Sequence, residues 1–454
     1  MTAESAAPIP VFAGGEAAAW LESADRTSAS RDVRRSVLEI IERVRVAGDE
    51  ALIEFAEQFE GGRPESILVP PAVCSTALAG LPAPRRAALE LAIRNISRFH
   101  EAQVRREGII EIAPGIRAWR EFRPIDRIGV YAPGGRAAYP SSVLMAVVPA
   151  RIAGVREVAV SCPAGPGGRP PESVMAACAL LEVDEVFAIG GAQAIAAMAL
   201  GTQSVRPVDK VFGPGGEWVN EAKLALYSEV AIDLPAGPSE VVIWADSAAD
   251  PALVAAELVA QAEHGPDSLS VAVFSDSEAD PGSEILLDRA QETARQVAIS
   301  LAELVSIPEA ASSVEAATCS LAGSAILVAR SDQEAAAWVN DLAGEHLSLQ
   351  RREPRRDLAR IDHAGSVFLG PWAPVAAGDY ASGTNHVLPT GRRARGASGL
   401  GVDDFGRWLQ VQEIDAAGLA AIAPAIETLA EWEGLPAHAT AVRARFPMNA
   451  TEDR

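Results

Sequence analysis

Only six histidines occur in 454 residues, His100, His264, His346, His363, His386 and His438, so each can be weighed by its neighbours. Gln261-Ala-Glu-His264 closes a stretch with helical apolar spacing. Side chains three residues apart on a helix share a face, so the Gln261 amide and the His264 imidazole can aim at one point. An imidazole nitrogen and an amide oxygen are acceptable ligands for a borderline metal ion. The same residues also read as a helix end, with His264 on the dipole and Gly265-Pro266 as the stop. No third ligand is near in sequence, and spacing alone favours the helix end.

Glu345-His346 follows a helical stretch and Gly344. Adjacent side chains point in different directions, so this carboxylate and imidazole could serve two separate proton transfers at one substrate. The plainer reading is a polar loop. Gly378 to His386 (GDYASGTNH) is dense in small and polar residues within a long loop. Asp379 could supply an oxygen ligand with His386 beside it, and a turn-rich connection explains the run equally well. His438 lies five residues after Glu433 and by itself reads as a surface histidine. Glycine clusters at Tyr131–Gly135, Ile189–Gln193 and Phe212–Gly216 each follow a strand candidate. Glycines there let backbone amides approach a ligand, but none fits the G-x-G-x-x-G fingerprint, and short strand-to-helix loops use glycine anyway.

The elements that must carry these residues follow from periodicity. Helical spacing covers Ser30–Glu57 and Pro84–Phe99. From Arg127, β-branched runs (Arg127–Tyr131, Glu157–Ser161, Glu185–Ile189, Lys210–Phe212, Val241–Ala245) alternate with helices Ser141–Ala153, Glu172–Leu181 and Ala192–Leu200. A second series runs from helix Pro251–His264 through strand Leu269–Phe274, helix Ser283–Leu304, strand Ala325–Ala329 and helix Gln333–Leu342 to strand Val367–Leu369. Such alternation predicts parallel sheets with helices on their faces, in two α/β units. Ala373–Arg395 reads as loop, and helices are expected near Asp415–Gly434 and Ala437–Phe446.

Length argues for more than one core, because single cores rarely exceed roughly 250–300 residues. Hydrophobic residues make up 49% and charged residues 22%, a globular composition. A net charge of −22 repels a phosphate backbone, which argues against nucleic-acid binding. No apolar run approaches the ~20 residues of a membrane span, and Met1–Phe12 lacks the features of a secretory signal. Four scattered cysteines, Cys74, Cys162, Cys178 and Cys319, fit a reducing cytoplasm.

Taken together, several runs resemble the histidinol dehydrogenase family: VYAPGG (Val130–Gly135), IGGAQAI (Ile189–Ile195), FGPG (Phe212–Gly215) and IDLPAGPSEVV (Ile232–Val242). The likeness continues through QAEHGPDS (Gln261–Ser268), GSVFLG (Gly365–Gly370), GDYASGTNHVLPT (Gly378–Thr390) and SGLGVDDF (Ser398–Phe405). The resemblance implies an α/β fold of two incomplete Rossmann-like domains with parallel sheets, plus small helical N- and C-terminal segments. It implies a division into 1–25, 26–131 with 244–395 (zinc and catalysis), 132–243 (NAD) and 396–454 (reaching a partner subunit). An intertwined homodimer is implied, with one Zn2+ per subunit and NAD as cofactors. Carried over by motif, Gln261, His264, Asp379 and His438 are the zinc ligands, His438 coming from the other subunit. Glu345 and His346 are the catalytic pair. Ser239 and Glu433 contact substrate together with the zinc ligands and His346. Tyr131, Gln193 and Gly216 fall at NAD-contacting positions. The implied reaction is oxidation of L-histidinol through L-histidinal to L-histidine.

Three departures stand out. Gly216 replaces the family's usual asparagine, removing an amide from the NAD side. Val375 replaces a usual glutamate in the run before Gly378, where an acid would suit an amine-bearing substrate; a lost buried hydrogen bond costs about 1–3 kcal/mol. Gly344 replaces a proline, a change in stiffness. These leave open a paralogue oxidising another small polar alcohol, such as a sulfonated propanediol. A zinc hydrolase would use the same ligands without NAD. A non-catalytic relative would be free to lose Glu345 or His346, and both are kept.

Overall fold

A computed structural model describes residues 9–23, 31–134, 138–235, 237–276, 284–305 and 311–446. Ser30, Gly135 and Ser283 lie outside them. The expected helical run Ser30–Glu57 is two helices, Arg31–Ala47 and Asp49–Phe59. Gly48 separates them at φ 57, where an added Cβ would run into the Gln203 side chain.

Two parallel sheets dominate residues 1–103 with 125–405, the first unit. The six-stranded sheet includes β1 (Val11–Ala13), and the five-stranded sheet begins with β4 (Arg127–Tyr131), after two strands of the second unit, β2 (Ile110–Ala113) and β3 (Ile116–Pro124). The five-stranded sheet continues with β5 (Glu157–Cys162), β6 (Glu185–Ala188), β7 (Lys210–Phe212) and β8 (Ala231–Ile232), in the order β6-β5-β4-β7-β8. The six-stranded sheet adds β9 (Glu240–Ala245), β10 (Leu269–Phe274), β11 (Ala325–Val328), β12 (His346–Gln350) and β13 (Ser366–Leu369), in the order β1-β11-β10-β9-β12-β13. Apart from β1, both orders follow one pattern: two strands wind outward from the first, and the next two lie on its other side. That is the doubly wound pattern, with switch points between β4 and β7 and between β9 and β12. Strand pairing puts all of β4 in the five-stranded sheet and all of β9 in the six-stranded one, whereas the division expected at 131 and 243 would group β4 with the other sheet and cut through β9.

Each strand of β4, β9 and β12 is buried along its whole length, as expected for parallel strands covered on both faces. The β12 strand was not anticipated. His-Leu-Ser-Leu-Gln reads as polar, yet it lies between β9 and β13, where Leu347 and Leu349 pack into the core with Val339 and Leu342.

The second unit comprises 104–124 and 406–454. In it β14 (Gly406–Ile414) pairs antiparallel with β3, and β3 with β2, followed by helices Ala416–Trp432 and Pro436–Arg443. The C-terminal segment is thus not wholly helical, as had been expected. None of the nine β14 residues is buried, so the hydrophobic alternation that betrays a half-buried strand is missing. No helix among the described residues is long and apolar enough to cross a membrane. The four cysteines are free.

The loop after β7 is held by a buried ion pair. Lys223 Nζ pairs with Asp233 and donates to the carbonyls of Gly213 and Leu234, each at 3.0 Å. Asp233 in turn accepts the Gly213 N–H at 2.7 Å. Gly213 sits at φ 112 against the Tyr131 carbonyl, with no room for a Cβ. Removing one partner strands a charge with a side chain only 1–2% exposed. Asp233→Ala should therefore lose about 3–5 kcal/mol of stability. Urea unfolding checks this, and Lys223→Met with Asp233→Leu should recover most of the loss.

Candidate active site

A cavity of about 880 Å³ opens in the first unit. One wall comes from the carboxyl ends of the five-stranded sheet, through Pro133 after β4 and Pro214–Glu217 after β7. This is the crevice where a doubly wound sheet offers its ligand site. The other wall comes from the amino ends of the six-stranded sheet, through Ser239 before β9, Leu269 at the start of β10, and Glu345 and His346 at the head of β12.

Glu345 is buried, and its Oε2 accepts from Ser239 Oγ at 2.6 Å and from the Glu240 N–H at 3.0 Å. Burial pushes its carboxyl above the ordinary carboxylate range, and the two donors with nearby His346 only partly oppose that. His346 Nδ1 lies 3.2 Å from the Glu240 carbonyl. That contact needs a proton on Nδ1, which leaves Nε2 as the acceptor in the neutral ring. Nε2 is buried, has no hydrogen-bond partner among the described residues, and lies 3.6 Å from Asp379 Oδ1. Burial opposes the imidazolium, but the negative charges of Glu345 and Asp379 prevail, and the ring is pushed up to about 9.

Asp379 belongs to the short helix Val375–Tyr380, inside the segment expected as loop. Burial disfavours its charge, yet His346, His386 and His264 around it hold its carboxyl below the usual range. His386 Nδ1 lies 2.9 Å from the Asp379 carbonyl. Helix Pro251–Ala262 ends two residues earlier than expected, so His264 lies in the following turn, exposed on the cavity wall. Gln261 is 3% exposed, and neither polar atom of its amide has a hydrogen-bond partner among the described residues. A buried unpaired amide is costly, and a cation binding its oxygen would satisfy it.

Nitrogen and oxygen donors from Gln261, His264 and Asp379 suit zinc. Among the described residues no three His, Cys, Asp or Glu side chains gather as a metal site. Gln261, His264 and Asp379 would supply three of the four ligands of a tetrahedral site. Glu433 and His438 lie in the second unit, both exposed, Glu433 capping the helix Ala416–Trp432 and His438 within Pro436–Arg443.

Gly216 lines the cavity, caps the helix Glu217–Ala225, and has open space where a side chain would project. Tyr131 and Gln193 do not line it. Tyr131 is buried and its hydroxyl accepts from the Gly191 N–H at 3.1 Å. Gln193 Nε2 donates to Glu60 at 3.0 Å, and Glu60 also accepts from the N–H groups of Gly190 and Ala164. Glu60 thus supplies the anion at the start of helix Gly191–Leu200. Sequence reading missed it because its partners lie over a hundred residues away. It also missed Glu257, one turn before Gln261, which accepts the Val375 N–H at 3.1 Å. Buried Val375 therefore still has a carboxylate on its backbone, one that caps the helix carrying Asp379.

The family model for histidinol dehydrogenase matches residues 23–446. The histidinol dehydrogenase of Vibrio parahaemolyticus is 43% identical over 419 residues, covering 91% of this chain and 92% of that protein. That of Natronomonas pharaonis is 46% identical over 422 residues, covering 93% and 96%. The crystal structure of histidinol dehydrogenase from Elizabethkingia anophelis superposes with a TM-score of 0.89 at 35% identity, covering 97% of this chain and 99% of that one. With sequence and fold agreeing over nearly the whole length, this chain belongs to the histidinol dehydrogenase family.

Proposed function

We propose that the chain oxidises L-histidinol through L-histidinal to L-histidine, the last steps of histidine biosynthesis, with two NAD reduced per turnover. The observation that carries this reading is the pair at the head of β12. A buried carboxylate and an imidazole whose Nε2 has no hydrogen-bond partner among the described residues share one cavity wall, with Glu345 Oε2 and His346 Nδ1 fixed by residues 239 and 240.

Gln261, His264 and Asp379 would hold one zinc ion, completed by His438 from a second copy of the chain in an intertwined homodimer, where Glu433 would meet the substrate. When bound, zinc supplies a Lewis acid and template for the substrate, and NAD accepts hydride. Gly216 marks the cofactor side of the cavity. Tyr131 and Gln193 would reach NAD if the loops they tie open, and otherwise hold those loops in place.

His346 keeps Nδ1–H on the Glu240 carbonyl and takes the substrate hydroxyl proton at Nε2 while hydride leaves the carbinol carbon. A cation on Asp379 would offset part of the negative charge that favours the imidazolium, leaving the ring better able to act as a base. The aldehyde stays in the cavity. Glu345, oriented by Ser239 and the Glu240 N–H, takes a proton from the water that adds to the aldehyde carbon. His346 returns its first proton to the former aldehyde oxygen, giving the hydrate, and then takes a hydroxyl proton again as the remaining carbinol hydrogen leaves as hydride. The raised carboxyl of Glu345 is closer to neutrality than an exposed one, which improves it as a base at working pH.

Absorbance at 340 nm with zinc-loaded protein should show two NADH formed per L-histidinol consumed. One NADH with accumulated aldehyde, or none, would remove the four-electron reading. Glu345→Gln should lower overall turnover by about 10²–10⁴-fold, the range for losing a general base, with the loss falling on the aldehyde-to-acid half. Supplying L-histidinal directly isolates that half. Chelation should abolish turnover and added zinc restore it. Gln261→Leu should lower zinc retained per chain after dialysis, measured by elemental analysis.

A further inference from the structure

Gly391-Arg-Arg-Ala-Arg395 carries three arginines in an acidic chain, and the fold puts them to different uses. Arg392 Nε donates to the Asp341 carbonyl at 2.8 Å and pairs with the Asp341 carboxylate. Arg395 pairs with the same carboxylate at 2.8 Å. Both are thereby spent on the carboxyl end of the helix Asp332–Leu342, where cations are favoured. Arg393, between them, turns to the cavity wall. Among the described residues it makes no ion pair, and its guanidinium has one long hydrogen bond, 3.4 Å to the Thr390 carbonyl.

The setting makes this guanidinium unusual. Glu217, Glu240, Asp267, Glu345 and Asp379 also line the cavity, and Arg393 is the one Arg or Lys side chain among its described lining residues. Among the described lining residues, a ligand with an acidic end is repelled by these carboxylates and attracted at Arg393. The segment that presents Arg393 is also fixed before any ligand arrives. Gly391 N–H donates to Glu240 Oε1 at 3.2 Å, and Thr390 Oγ1 accepts from the Gly237 N–H. Arg392 is held at φ 63, a left-handed conformation rare for arginine, by its bonds to Asp341. A preorganised, half-buried guanidinium loses little freedom on binding and offers a planar fork that matches carboxylate and phosphate oxygens.

We propose that Arg393 is the anion-binding residue of the cavity, taking an oxyanion group of the bound ligand. This rests on the dehydrogenase reading above. The group is either a phosphate of the dinucleotide or the carboxylate of the acid product. In either case Arg393 sets the ligand's direction, with its acidic end toward 390–393 and its reacting end toward Glu345 and His346.

The test uses zinc-loaded wild type, Arg393→Ala and Arg393→Lys, titrated at low salt with NADH, inorganic pyrophosphate and L-histidine. Arg393→Ala should weaken at least one of them by about 10–100-fold, the loss of a hydrogen-bonded ion pair, with Arg393→Lys recovering part of it. Loss confined to NADH and pyrophosphate assigns the phosphate, and loss confined to L-histidine assigns the carboxylate. Unchanged affinity for all three in Arg393→Ala overturns the proposal. So does wild-type protein that binds none of them, or an equal loss in both variants accompanied by a lowered Tm, which would mean a structural role. None of these titrations needs turnover. Wild type that binds these ligands but forms no NADH from L-histidinol would refute the substrate reading and leave the anion site standing.

Discussion

The Glu345 carboxylate is buried at the head of a central parallel strand, and its two hydrogen bonds come from the residues that open the neighbouring strand. A buried carboxylate without such donors would be protonated or expelled. The contact therefore ties chemistry to register. It holds β9 and β12 so that His346 pairs opposite Val241, and it places the His346 Nδ1 on the Glu240 carbonyl. A slip of either strand would break the base and its orienting group together. The rest of the cavity is arranged around that fixed point.

The two sheets reach the cavity in opposite senses. The five-stranded sheet offers its carboxyl ends, the usual ligand edge of a doubly wound sheet. The six-stranded sheet offers its amino ends, and its own carboxyl edge is filled. There Arg351 is buried between Asp332 and Asp357, donates to the Ser275 carbonyl, and stacks 4.3 Å over Trp244. Asp246 accepts the Arg352 N–H at the same edge. A network with its donors and acceptors matched internally has little to offer a ligand, which leaves the opposite edge for chemistry.

Acidic groups recur on this wall, and each is held differently. Glu240 accepts the Gly391 N–H, Glu345 is fixed by two donors, and Asp379 depends on three histidines around it. A single cavity that gathers so much negative charge is poised for a cation, and the Gln261 amide, three residues before the lining residue His264, is buried without a hydrogen-bond partner among the described residues. Glu257 and Glu60 act a step further out. The first caps the helix that presents Asp379, and the second ties three backbone and side-chain donors near Gln193.

Periodicity alone placed β4, β7 and β10 at their observed limits, because a parallel strand buried on both faces leaves an unbroken apolar run between turns. Residue types singled out Gln261, His264, Glu345, His346 and Asp379, and the family runs gave them roles. What sequence could not show was that His346 begins a strand, since polar His, Ser and Gln inside a core strand hide its burial. Nor could it show the β14 to β3 pairing, where both faces are largely exposed, or the parts played by Glu60, Glu257 and Arg393. Local chemistry decides which elements form. Which carboxylate meets which amide across a hundred or more residues, and which of three adjacent arginines is left unpaired, depends on contacts that exist only once the sheets have closed.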